Sequence, residues 1–451
     1  MDEGRLGDAG VLVIGAGPAG DFTAQYLASR GVSVILLNRD LRPGGLAEYG
    51  IYHSKHRIKA TLRTQFQKIL QMDQVSYYGN VHVGEDGDLT LAQLREMGFG
   101  AIVVAVGAQG TKWLGLPGES LHGVYHAKDL IYYYNGLPPY SQLQFDIGRR
   151  VALIGVGNVM ADIAHWLVRD LQVDDVIAVA RRGPAEVKFT RQELEYVAAN
   201  LDVASLEDEI ARVSARMEAV GQDPHAAREF LLSALSRAVP ASSSTRLRFR
   251  FLSSPRRMLE GGVDDGTGHV VALEVEDTEL VLDSTDQTKA RSLGTTQTLD
   301  VDTVIFCIGD CVSERFGLPV QWSSFVKHPA PRYPVEGVSY EAYDPYVGAA
   351  VEGIFVVGWA RQSSYGQVAL ARKDARGCAE AVMSYLADHT PVVPMETARD
   401  ALLTHLGQMG KPFVTVEDAL RLAQIEAQEA ADRNDPGFRY TSNEEMLAVL
   451  R

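Results

Sequence analysis

The chain has 451 residues, 46% of them apolar, with three cysteines and a formal charge of −15. That length has a soft prior of about three domains. The acidity argues against a general nucleic-acid binder, and three thiols without a CxxC pair exclude a disulfide framework and argue against a thiol relay or a protein-held iron–sulfur cluster. The polar, acidic start and the lack of an apolar run of about 18 to 20 residues predict a soluble, cytoplasmic protein without a membrane span.

The first element is a short apolar strand, Val11–Ile14, followed by Gly15-Ala16-Gly17-Pro18-Ala19-Gly20 and a helix over about 21–30. A buried strand that turns sharply into a helix points free N–H groups at an anion, and glycines let a pyrophosphate approach the backbone. A second strand over 32–37 ends at Asn38, where a Rossmann fold sets a group on the adenosine ribose. A carboxylate is usual there because it accepts from both hydroxyls; an amide accepts through its oxygen alone, and Asp40 stands two residues on to compensate. A glycine-rich loop over 41–46 and a basic helix over 58–70 follow.

The pattern then returns. A strand over 151–154 leads into Gly155-Val156-Gly157, a helix over 159–169, and a strand over 176–180 that ends in Arg181-Arg182-Gly183-Pro184. A site for NAD carries an acid at this strand end, whereas a guanidinium fork suits the 2′-phosphate of NADP. The second site is therefore expected to prefer NADPH. The third fingerprint position is Met160 instead of Gly or Ala, with Ala161 one place later, which predicts a helix set slightly outward.

Further on, 206–237 reads as one amphipathic helix and 260–298 as a hairpin excursion. Cys307 and Cys311 lie at the end of the apolar run 304–308. Arg246, Arg248, Arg250, Arg256 and Arg257 read first as solvated surface and second as a docking patch for an acidic partner. From about 397 the chain is acidic and helical in pattern.

Taken in order, VLVIGAGPAG, GNVHVG at 79–84, VGNVMADIA at 156–164, RRGPAEVKFTRQEL at 181–194, VVGW at 356–359 and EEMLAVL at 444–450 carry a resemblance over nearly the whole length. The chain resembles the adrenodoxin reductase group of NADPH–ferredoxin reductases, which share a two-domain fold with glutathione reductase and the glutamate synthase small subunit. That resemblance implies an α/β protein with two Rossmann-like dinucleotide-binding domains, the NADP domain (109–339) inserted into a discontinuous FAD domain (1–108 and 340–451). It implies FAD at Gly15, Gly17, Pro18, Ala19 and Gly20, with Asn38 near the ribose, Leu46 and Val83 lining the cofactor, and Trp359, Gly366, Gln367 and Val368 at the flavin ring. It implies NADP at Val156, Gly157, Asn158, Val159, Arg181, Arg182 and Glu193, with Gly366 touching both cofactors.

The expected function is hydride transfer from NADPH to FAD, then electron delivery to a ferredoxin-like iron–sulfur protein or another protein or small-molecule acceptor, with no catalytic side chain demanded. A flavin-dependent oxidase or monooxygenase, and a flavoprotein subunit with a structural role, are the alternatives. The two nucleotide turns would suffice for the former, though no separate substrate pocket is evident, and the latter draws support from two departures. Relatives carry a GPTGxIGT-like segment where this chain reads Ser363-Ser364-Tyr365-Gly366-Gln367-Val368-Ala369-Leu370, and APDH where it reads Tyr52-His53-Ser54-Lys55-His56.

Overall fold

The computed structural model describes residues 10–261, 268–363, 368–389 and 393–451. The chain forms two compact units, Met1–Gly110 with Tyr132–Gln142 and Asp310–Arg451, and Thr111–Ile131 with Leu143–Gly309.

The first unit is built on a six-stranded sheet in the order Glu341–Asp344, Ala349–Val356, Ala101–Val104, Val11–Ile14, Val34–Leu37, Val75–Tyr78. All neighbours are parallel except the first pair. Burial of both faces explains why the three strands Ala101–Val104, Val11–Ile14 and Val34–Leu37 are apolar at every position. Leu12, Ile14, Ile35, Leu37, Ile102 and Val104 fill the core on one face, while Val11, Val13, Val34, Leu36 and Val103 fill the core on the other.

The second unit holds a five-stranded parallel sheet in the order Val124–His126, Thr303–Phe306, Arg150–Ile154, Asp175–Val179, Arg246–Arg250. An antiparallel sheet of Ser253–Gly261, His269–Leu282 and Thr288–Asp300 adds Met258, Leu273 and Val275 to its core. This is the hairpin excursion the sequence predicts, apart from 262–267, which lie outside the described residues.

Three expectations are corrected. Residues 206–237 are two helices, Val203–Glu218 and Pro224–Ser233, because Gly221 takes a left-handed φ of 76° and Asp223 caps a new helix with Pro224 in its first turn. Residues 132–142 pack with the first unit, where Tyr132 and Leu137 form a small core with Tyr49. The stretch 310–339 does so too, since Phe316, Leu318 and Phe325 join the core of Leu12 and Ile14. Among the described residues no helix is long and apolar enough to cross a membrane.

Candidate nucleotide sites

Each unit carries a glycine turn at a strand–helix junction, and the two are built alike. Gly15 N–H donates to Leu37 O at 2.7 Å, and Gly155 N–H donates to Val179 O at 2.9 Å. Both glycines lie at positive φ, 108° and 116°. A Cβ there would stand 2.5 Å from Ala105 O and 2.6 Å from Cys307 O respectively. Only glycine fits, for steric reasons on both counts.

The middle glycines serve the ligand side. A Cβ on Gly157 would meet nothing within 4 Å, and one on Gly17 would meet only Gly45 Cα at 3.8 Å. The backbone is thus left bare over the turn, as close approach of a pyrophosphate requires. Helices begin at the same offset, Pro18–Ala28 and Asn158–Trp166, with Gly17 and Gly157 as extended N-caps whose side-chain position is empty.

The third positions differ. A Cβ on Gly20 would lie 1.8 Å from Gly15 O, so the first helix packs directly on its turn. Met160 occupies the corresponding place in the second unit and is 1% exposed, a long side chain accommodated in the core.

In the first unit a second glycine loop lies against the turn. Gly44 N–H donates to Ala16 O at 2.6 Å, and Gly45 takes a φ of 47° where a Cβ would also stand 2.9 Å from Gly17 Cα. Leu46 opens the following helical turn, half-buried against Tyr49 and Tyr132. Ala19 faces Gly358, where a Cβ would come within 2.6 Å of its methyl. Trp359 follows in the 3-10 turn Gly358–Ala360, held by Gly358 N–H to Asp374 Oδ2 at 2.7 Å. Val83 is buried in the core beside Leu12. Val368 starts the long helix Val368–Asp388. Gly366 and Gln367 lie outside the described residues, as does Tyr365.

Asn38 is placed at the ribose position but its amide is committed inward. Oδ1 accepts from Ala16 N–H at 3.1 Å, and Nδ2 donates to Asp40 O and Arg42 O, both at 2.8 Å. It fastens the turn to the next loop. Asp40, paired with Arg39 Nε at 3.0 Å, instead lines a cavity of about 190 Å³ with Arg39, Asn80 and His82. That places the compensating carboxylate at an open space.

Asp21, in the first turn of the helix, was not singled out by sequence. It is fully buried, both carboxylate oxygens lack a hydrogen-bond partner among the described residues, and burial pushes its carboxyl well above the usual range. Burial thus disfavours the charged form of a side chain that lies beneath the turn.

In the second unit the segment 188–190 is laid over the turn. Lys188 N–H donates to Val156 O at 2.8 Å and Thr190 N–H to Asn158 Oδ1 at 2.9 Å. Asn158 therefore braces the site through its side chain, and Lys188 is an added cation beside the turn that sequence reading passed over. Val159 is half-buried on the helix, and Glu193 sits in the first turn of Arg191–Glu195, capped by Thr190. Arg181 is exposed at the strand end; Arg182 beside it pairs with Glu186 at 3.1 Å.

The departures from the family pattern are partly visible. Tyr52 is fully buried, with the His53 ring 4.4 Å from its own and Tyr134 edge-on to both. His56 begins the helix His56–Leu70, its imidazole pushed below the usual value chiefly by burial. The large arginine cluster is neutralised. Arg248 pairs with Asp175 at 2.9 Å, Arg250 with Asp277 at 3.2 Å, Arg256 with Glu276 at 3.3 Å and Arg257 with Glu274 at 3.0 Å. It does not offer the bare basic patch that the docking reading needs.

Two largely parallel sheets, each opening through a glycine turn into a helix, give the chain two folds of the dinucleotide-binding type. Residues 9–204 match the family described as pyridine nucleotide-disulphide oxidoreductase. The chain is 27% identical to NADPH:adrenodoxin oxidoreductase of Arabidopsis thaliana, over 97% of this chain and 95% of that protein. It is 28% identical to NADPH-ferredoxin reductase FprA of Mycobacterium leprae, over 84% of each. The structure of Mycobacterium tuberculosis FprA in complex with NADPH matches with a TM-score of 0.79 at 25% identity, covering 98% of this chain and 99% of that one. Among dinucleotide-binding proteins the chain is similar to the adrenodoxin and NADPH–ferredoxin reductases.

Proposed function

We propose that this protein is an FAD-containing reductase that takes a hydride from NADPH and passes electrons to a ferredoxin-like iron–sulfur protein. The observation that carries the reading is the repeated turn, one copy followed by an amide at the ribose position and the other by an arginine pair. When bound, FAD supplies hydride acceptance and electron release.

The chain's own residues bind and orient. Gly15, Gly17, Pro18, Ala19 and Gly20 give the flavin nucleotide's pyrophosphate a bare backbone and a helix N-terminus. Asn38 keeps that turn rigid, Leu46 and Val83 supply apolar walls, and Trp359 with 366–368 would flank the ring. Val156, Gly157, Asn158 and Val159 form the second cradle, with Arg181 and Arg182 for the 2′-phosphate and Glu193 at its edge.

The test is an anaerobic titration of the yellow protein with NADPH and, separately, NADH, followed by flavin absorbance. Stoichiometric bleaching by NADPH at far lower concentration than NADH is expected, followed by electron transfer to an added ferredoxin. A bound flavin that stays oxidised with both nucleotides would overturn the reductase reading in favour of a structural flavoprotein.

A further inference from the structure

Arg182 does not face its site unaccompanied. Its Nη1 donates to Glu186 Oε1 at 3.1 Å, four residues on. Glu186 closes the 3-10 turn Pro184–Glu186, and the same oxygen accepts from the Thr288 hydroxyl at the start of the strand Thr288–Asp300. Its other oxygen, Oε2, is buried and has no hydrogen-bond partner among the described residues. The carboxylate side chain is 11% exposed, against 36% for the guanidinium. A fixed, largely desolvated anion thus stands behind a half-exposed cation.

We propose that Glu186 is a specificity-determining residue that holds the second site's preference for a 2′-phosphate below what Arg181 and Arg182 alone would give. This rests on the NADP reading of the second site. Three side chains together present one net positive charge to a phosphate that carries about −1.5 to −2 at neutral pH. Charge matching is only partial. The unpaired Oε2 adds a geometric effect, because a buried carboxylate oxygen is stabilised by a second guanidinium N–H. Glu186 therefore draws the Arg182 fork towards itself and away from an incoming anion. A ligand with a free 2′-hydroxyl carries no charge there and is little affected, so the carboxylate narrows the gap between the two nicotinamide coenzymes.

The experiment uses fragments that report on this corner alone. The purified holoprotein is titrated by calorimetry with 2′,5′-ADP and with 5′-AMP, as wild type and as Glu186→Gln, which keeps the shape and an acceptor for Thr288 and Arg182. Binding of 2′,5′-ADP should tighten roughly three- to tenfold while 5′-AMP changes less than about twofold, and the gain should shrink in about 0.5 M salt. Glu186→Met, which removes the charge without supplying a hydrogen bond, must change 2′,5′-ADP affinity in the same direction. Arg182→Leu should cost more in the Glu186→Gln background than in wild type. Unchanged or weaker 2′,5′-ADP binding by both Glu186 variants would overturn the proposal and make Glu186 a positioning group for the fork. Failure of 2′,5′-ADP to bind the wild type at all would instead refute the NADP reading beneath it.

Discussion

The pair Arg42–Glu426 offers the sharpest test of how the first nucleotide site is held. Side-chain exposure is 8% for the arginine and 3% for the glutamate. The guanidinium donates to both carboxylate oxygens, to Tyr440 O at 2.7 Å and to the Tyr49 hydroxyl at 3.2 Å. Glu426→Gln leaves that cation buried among neutral acceptors. Breaking a buried pair from one side costs about 3–5 kcal/mol. Because Gln retains one acceptor and the Tyr49 and Tyr440 bonds remain, the low end, about 3 kcal/mol, is expected. A loss of that size lowers Tm by roughly 6–12 °C in a unit of this size.

The effect should reach the flavin site as well. Arg42 O accepts from Asn38 Nδ2, and Asn38 Oδ1 holds Ala16 N–H in the turn, so loosening Arg42 loosens the cradle. Urea unfolding and flavin retention during dialysis are measured for Glu426→Gln, Arg42→Met and the double Arg42→Met/Glu426→Leu. The double variant should recover part of the loss, since it removes both members of the buried pair, while Arg439, 3.7 Å from Glu426, loses that partner. A Glu426→Gln protein within about 1 kcal/mol of wild type, or a double variant no better than the worse single, refutes the reasoning.

Three further outcomes follow from the same geometry. Gly20→Ala must push a methyl against Gly15 O, at about 1–3 kcal/mol, and should yield colourless protein; Gly155→Ala should keep the flavin but lose reduction by NADPH, and equal effects on both would sink the two-site assignment. Asp21, raised by burial, makes the folded state bind more protons than the unfolded one above the ordinary carboxylate range, so it costs stability as pH rises there. Asp21→Asn should therefore gain stability relative to wild type as pH rises above the ordinary carboxylate range and lose that gain in acid; a difference flat with pH would count against it. Lys59, its ammonium pulled down to about 8 mainly by burial, binds fewer protons when folded. Wild type should gain stability relative to Lys59→Met as pH rises from about 8 to 10.5, a trend that thermal melts across that range would show or deny.

What the sequence made legible is what backbone sterics force. Gly15, Gly20 and Gly155 are required by atoms within 3 Å of a missing Cβ, so their spacing survives as a readable pattern. The continuous apolar strands are legible for a similar reason, both faces being covered. The break at Gly221 was equally available, since Asp223-Pro224 is a helix start, but periodicity over 206–237 masked it. The commitment of Asn38 was not legible, because it depends on where the carbonyls of Asp40 and Arg42 point. Neutralisation of the arginine cluster depends on Asp175, Asp277, Glu274 and Glu276, which only folding brings opposite. Glu186 lies only four residues beyond Arg182, but its carboxylate is fixed there by the Thr288 hydroxyl, some hundred residues away in sequence.

The central sheet of the first unit carries a consequence for how the molecule is born. Val104 pairs with Val356, so a strand made early waits for one made some 250 residues later, about 10–50 s at ordinary rates of translation. The sheet of the second unit is finished at Phe306. The inserted unit can therefore mature on the ribosome while the unit that encloses it in sequence still shows an unpaired strand edge. A purified fragment 1–309 should be protease-resistant over residues 143–309 and cleavable over residues 10–110, whose sheet lacks the strand Ala349–Val356.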